Sequence, residues 1–203
     1  VNDKGIVTSG TGYTTPNANY TIGAPIVITT QPSNKSQCLL QSTTFEVVSN
    51  ADSFQWELST DGTTWTTLTN NANYSGVTTK TLQVNSIAAS MNGYIYRVQL
   101  NRVGNSCGLT STVATLTTLA LPTVTSSITL KQCDDNIDGI SDFNLTEKNS
   151  FISTNYLNEM FTYFKTAAGA TANDVATKIA DPTKYTSGIG SVGASVEATN
   201  GCF

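Results

Sequence analysis

From residue 44 onward the chain alternates apolar and polar positions with a period of two. "TFEVVS" (44–49) sets Phe45 and Val47 on one face, and "SFQWELST" (53–60) sets Phe54 and Trp56 against Glu57. "KTLQVNSI" (80–87) turns Leu82 and Val84 inward, and "GYIYRVQL" (93–100) aligns Tyr94, Tyr96 and Val98. That spacing predicts strands. "PIVITT" (25–30), "TTWTTLT" (63–69) and "LTSTVATLTT" (109–118) complete a set of short strands separated by turn residues. Asp61-Gly62 marks a tight hairpin, a turn in which both central residues take positive φ. Short strands at this spacing, with no βαβ periodicity, indicate a β-sandwich.

The remainder is less regular. Residues 1–23 are rich in Gly, Thr and Asn and read as a linker or the end of a preceding domain. A first domain is expected over 24–120, a linker with Pro122 over 121–126, and a second β-rich domain over 127–203. The second pairs strands at "FTYFK" (161–165) and "SVGASVEA" (191–198) with a short helix near 148–158. The fold class is therefore all-β, as tandem sandwich domains. The start at Val1 and the end at Phe203, one residue past Cys202, suggest a piece of a longer protein with its second domain incomplete.

Composition sharpens this picture. Threonine, roughly one residue in six, suits the pleat through its branched β-carbon. The net charge of −4 and pI near 4.6 oppose nucleic-acid binding, which needs clustered Lys and Arg. No apolar run is long enough to insert in a membrane. There is no histidine, so the commonest general base and zinc ligand are missing. Glu46 and Glu57, on strands beside core positions, are expected to point to solvent as ordinary surface carboxylates. No catalytic residues are assigned, and no enzymatic activity is expected.

Four cysteines, Cys38, Cys107, Cys133 and Cys202, allow three disulfide connectivities. The arrangement 38–107 with 133–202 keeps each bridge within one domain and is the expected one. It implies an oxidising, extracellular setting.

"CDDNIDGISDFNL" (133–145) holds four of the 14 acidic residues: Asp134, Asp135, Asp138 and Asp142. Asp134, Asn136 and Asp138 alternate as D-x-N-x-D and Gly139 follows, a spacing that turns every second oxygen toward one point. The Ile140 carbonyl and Asp142 fall where an EF-hand-type loop places its next ligands. Leu145 replaces the usual final Glu, so water or another carboxylate, with Glu147 as candidate, would complete a structural calcium site. The alternative is a turn whose carboxylates cap backbone amides.

Two resemblances follow. Trp56 lies where an immunoglobulin-type sandwich buries its central Trp. Asn92, Tyr96 and Val98 stand where that fold has an Asp, a corner tyrosine and the second disulfide cysteine. Val98 against Phe45 or Val47 is expected to replace the missing bridge by packing. The stretch "SFQWELSTDGTTWTTLTNNANYSGVTTKTLQVNSIAASMNGYIYRVQLNRVGNSCG" resembles Ig-like repeats of large surface proteins from gliding Bacteroidota. C-D-D-N-x-D-G, F-N-L, F-T-Y-F-K-T-A-A-G-A and N-G-C-F resemble a second repeat type of such proteins. The resemblance implies export by a type IX secretion system and a structural or adhesive role, in some relatives as gliding adhesins. Implied partners are neighbouring repeats of the same chain, secretion or gliding machinery, and surface polysaccharide. A rival reading is a carbohydrate-binding module of a secreted polysaccharide-degrading enzyme, with Trp65 and Tyr74 as stacking platforms.

Overall fold

The structure is a computed structural model and describes residues 24–203; the expected linker at 1–23 lies outside the described residues. The chain divides into two compact units between Thr118 and Leu119.

The first unit runs β1 (Ile28–Thr30), β2 (Lys35–Cys38), β3 (Thr43–Glu46), β4 (Val48–Ser49), β5 (Ser53–Ser59) and β6 (Thr66–Thr67). It continues with β7 (Tyr74–Ser75), β8 (Thr81–Val84), β9 (Ile95–Arg102), β10 (Asn105–Thr110) and β11 (Ala114–Leu119). One sheet has the order β2-β11-β9-β5-β6, with β10 also on β9, and the facing sheet has the order β3-β8-β7. The chain crosses between the two sheets from β2 to β3, from β6 to β7 and from β8 to β9, as in an immunoglobulin-type sandwich.

The alternation seen in sequence places the core. Phe45, Val47, Trp56, Leu82, Val84, Tyr96, Val98, Leu100 and Leu116 are fully buried in one cluster. Trp56 Nε1 donates to the Thr79 carbonyl at 2.9 Å, so the buried indole leaves no polar atom unpaired. Val98 takes the cysteine position and packs in the same cluster as Phe45 and Val47. Its amide donates to Ser111 Oγ at 3.0 Å, where β10 gives way to β11. Phe45 and Tyr96 ring centroids are 4.8 Å apart, so aromatic packing adds to the Val98 contacts in bracing the core.

The Asp61-Gly62 connection differs from the expected tight hairpin. Gly62 has φ +78°, but Asp61 is not in the positive-φ region, and six residues separate β5 from β6. Asp61 Oδ1 instead accepts from the amides of Thr63 at 2.8 Å and Thr64 at 2.7 Å, and from Ser59 Oγ. A side-chain cap thus replaces the two-residue turn. The Thr64, Thr63 and Ser59 donors hold the Asp61 carboxyl well below the usual range.

The second unit contains two ribbons. β12 (Ser141–Phe143) pairs with β14 (Tyr185–Ser187), and β13 (Met160–Phe164) pairs with β15 (Gly193–Glu197), both antiparallel. Leu145, Ile152, Tyr163, Ile179 and Val196 form its core. The helix expected near 148–158 is reduced to one turn, α1 (Asn149–Ile152), with 3-10 turns at 145–148 and 156–158. Ser153 is extended (φ −136°, ψ 139°) and bridges to Val124, which ends the helix. A helix not anticipated from sequence, α2 (Ala167–Ala172), is capped by Thr166 Oγ1, which accepts from the Gly169 amide, and closed by Asn173 at φ 49°.

Candidate functional site

The acidic loop is wound around its own first residue. Asp134 Oδ1 accepts from the Ile137 amide at 2.8 Å, and Oδ2 accepts from the Gly139 amide at 2.7 Å. Gly139 at φ +80° and Ile137 at φ +61° supply the bend. Asp138 Oδ1 accepts from the Ile140 amide at 2.8 Å, and its Oδ2 from Asn136 Nδ2 at 2.8 Å. Asp142 is drawn to Thr186 Oγ1 at 2.5 Å and to Lys184 Nζ at 3.5 Å.

Four of the five predicted calcium ligands, Asn136, Asp138, Ile140 and Asp142, line one open depression of about 470 Å³, and Asp135 joins them. Asp134 stays within the loop, bonded to backbone amides. The donors are acidic and oxygen-rich, the kind of set calcium takes. Among the described residues no three such side chains are gathered closely enough to hold a metal. The loop therefore suits calcium in kind, while its present bonds are those of an amide-capping turn. Glu147 is the acidic residue in the 3-10 turn that follows, which Asn144 caps.

The two candidate stacking aromatics do not form a platform. Tyr74 is only 8% exposed and belongs to the sandwich core. Its hydroxyl meets that of Tyr96 at 3.5 Å. Burial raises both phenols above their usual range. Trp65 is half-buried, and the Arg97 guanidinium lies over its ring at 3.8 Å from the centroid. Arg97 Nε in turn donates to Glu57 Oε2 at 2.7 Å, and Gln99 Nε2 reaches the same oxygen at 3.2 Å. Glu57 is thus held in a surface network on β5 and β9 and is not the solvated carboxylate expected. Glu46 is exposed as expected. Sequence alternation gave the side of the sheet for both glutamates, but not the cross-strand register Glu57↔Arg97 that pairs one of them.

The cysteines depart from the expected pairing. Cys107 and Cys133 are exposed free thiols, whereas Cys38 and Cys202 are disulfide-bonded. Neither 38–107 nor 133–202 is therefore formed. Cys107 sits in the hairpin strand β10, where its amide donates to Asn105 Oδ1, and Cys133 leads into the exposed acidic loop. Cys38 and Cys202 are each buried, Cys202 completely. Equal sequence spacing within each domain did not reveal this contrast in burial, which distinguishes the bonded cysteines from the free ones.

Residues 129–203 match the model of the Flavobacterium inter-domain disulphide bond domain. The match lies wholly in the second unit and includes both Cys133 and Cys202. No curated protein matches the chain. Among solved structures, the N-terminal Ig1-2 module of the Drosophila receptor protein tyrosine phosphatase DLAR is 18% identical, with a TM-score of 0.38. That match covers 51% of this chain and 57% of the module. The titin M3 domain is 16% identical over 46% of this chain and 95% of its own, with a TM-score of 0.35. The chain spans about half the length of the tandem Ig structures it matches. The sandwich assignment rests on the strand order and core of the first unit.

Proposed function

We propose that this chain is a structural segment of a large secreted cell-surface protein, an Ig-like sandwich followed by a domain of the inter-domain disulphide type. One observation carries the reading: Cys38 and Cys202 are disulfide-bonded, and Cys107 and Cys133 are free. The description of the matching family supports it. A disulfide restrains the unfolded chain, and an oxidising location outside the cytosol preserves it. Such a joint limits unravelling under tension, which suits a non-catalytic spacer or adhesive fibre. Resemblance to surface repeats of gliding Bacteroidota supports the finer role, an adhesin exported by a type IX system with neighbouring repeats and machinery proteins as partners. The carbohydrate-module reading loses support because Tyr74 is in the core and Trp65 lies beneath Arg97.

The test is a protease site inserted after Leu121, ahead of the Val124–Ser153 bridge. After cleavage the two fragments are expected to stay together without reductant and to separate with dithiothreitol. Peptide mapping is expected to recover a 38–202 crosslink. Fragments that part without reductant, or mapped 38–107 and 133–202 bridges, would overturn the proposal.

Calcium is the second part of the reading. Asp135, Asp138 and Asp142 border one depression, where Lys184 Nζ lies 3.5 Å from Asp142, so a divalent ion there would turn the remaining repulsion into attraction. Its role would be to stiffen the entry to the second domain. Millimolar calcium is expected to raise the melting midpoint of the second unit relative to chelator, and Asp138→Ala to abolish the rise. Coincident curves would leave the loop as a turn.

A further inference from the structure

A second depression, of about 550 Å³, lies at the end of the β13–β15 ribbon and plays no part in the acidic loop. Leu157 and Met160 border it, at 81% and 64% exposure, together with Glu159, Glu197 and Thr199. Long apolar side chains this exposed, lining one depression, make a sticky surface. Two carboxylates stand at the same place because Met160 pairs with Glu197 across the ribbon and Glu159 immediately precedes Met160. Among the described residues, Glu159 Oε2 is the buried side-chain oxygen without a hydrogen-bond partner. Lys and Arg pair with Glu57 and Asp142 elsewhere, but among the described residues no salt bridge reaches Glu159 or Glu197.

We propose that this depression docks a basic segment of a partner protein, an extended stretch with a lysine or arginine flanked by apolar residues. The aliphatic stem of such a side chain would lie on Leu157 and Met160. Its cationic head would face Glu159 and Glu197, offsetting a carboxylate charge that both oxygens of Glu159 share. The same geometry disfavours an acidic or purely apolar ligand: the first meets two like charges, and the second leaves the inward oxygen of Glu159 unrelieved.

The test uses the full 203-residue chain, ¹⁵N-labelled, and two capped peptides: Val-Lys-Val, and the same peptide with norleucine in place of lysine. Val-Lys-Val is expected to shift amides of 157–160 and 197–201, and norleucine to weaken binding about fivefold or more. Glu159→Gln is expected to weaken Val-Lys-Val by a similar factor while leaving the melting midpoint unchanged or higher, since it removes a half-buried charge. Glu197→Gln, on the exposed strand end, provides a second variant if Glu159→Gln fails to fold. Equal shifts by both peptides would reduce the site to a non-selective apolar patch, and no shift by either would remove it; both results overturn the proposal.

Discussion

At the scale of single residues, the aromatic side chains show how burial sets chemistry. Tyr163 is 3% exposed, donates to the Leu145 carbonyl at 3.1 Å and to Asn149, and its phenol is pushed up to about 12 by desolvation. The folded value exceeds the unfolded one near 10. The neutral phenol therefore stabilises the second unit fully below pH 10, and that stability is lost as pH rises from 10 through about 12. Absorbance titration is expected to show a late phenol that Tyr163→Phe removes, and the alkaline unfolding of this unit should shrink with it. Loss of the late step in a control Tyr185→Phe variant instead would sink the assignment. Trp65 gives a parallel case on the surface. Arg97→Ala uncovers its ring and frees Glu57, so indole emission should move to longer wavelength, with a cost of about 1 kcal/mol or less. An unmoved spectrum would mean that the stacking is not populated in solution.

At the scale of elements, close approach of backbone decides where substitution is tolerated. α2 packs on β15 at Gly193, where an added Cβ would stand 2.6 Å from the Thr166 carbonyl and 2.7 Å from Ala170 Cβ. Gly193→Ala must push helix and ribbon apart, at about 1–3 kcal/mol. Urea unfolding followed in the second unit should register that loss, whereas Gly190→Ala, which meets nothing within 4 Å, should not. Equal effects of the two changes would argue against tight packing of α2. Elements of this kind were also the least legible in sequence. The first unit's strands were readable because each buries one face, so Phe45, Trp56, Leu82 and Val98 announce themselves by alternation. α2 shows no apolar stripe; its signals were the Thr166 cap, the alanines and Asn173, and these are weaker than periodicity. The Asp61 loop misled because Asp-Gly suits a two-residue turn, yet its carboxylate finds better partners in Thr63 and Thr64. The acidic loop was legible in composition and bend, while the destination of each carboxylate depended on amide geometry that residue spacing does not specify.

At the scale of the whole chain, the cysteines divide into two chemical classes, and each class makes a different prediction. Cys107 and Cys133 are exposed thiols, so a membrane-impermeant maleimide should label both without denaturant or reductant. Labelling on intact producing cells would place the segment outside, and labelling seen after lysis alone would contradict the cell-surface reading. Cys38 and Cys202 are buried and bonded, and should not react with the maleimide until reduced. In the chain-entropy description a disulfide that closes a long loop is worth up to about 5 kcal/mol. Packing should moderate this figure, because Phe45 against Tyr96 already braces the first unit without any bridge. The comparison that isolates the effect sets Cys38→Ser/Cys202→Ser against Cys107→Ser/Cys133→Ser in denaturant unfolding. The first pair should lower the midpoint by an amount equivalent to about 2–5 kcal/mol and the second by less than about 0.5 kcal/mol. The larger loss should fall on the second unit, whose core of five buried residues is smaller than the sandwich core and depends more on a covalent restraint. Midpoints that fall equally for both pairs would mean that the bonded cysteines contribute packing alone.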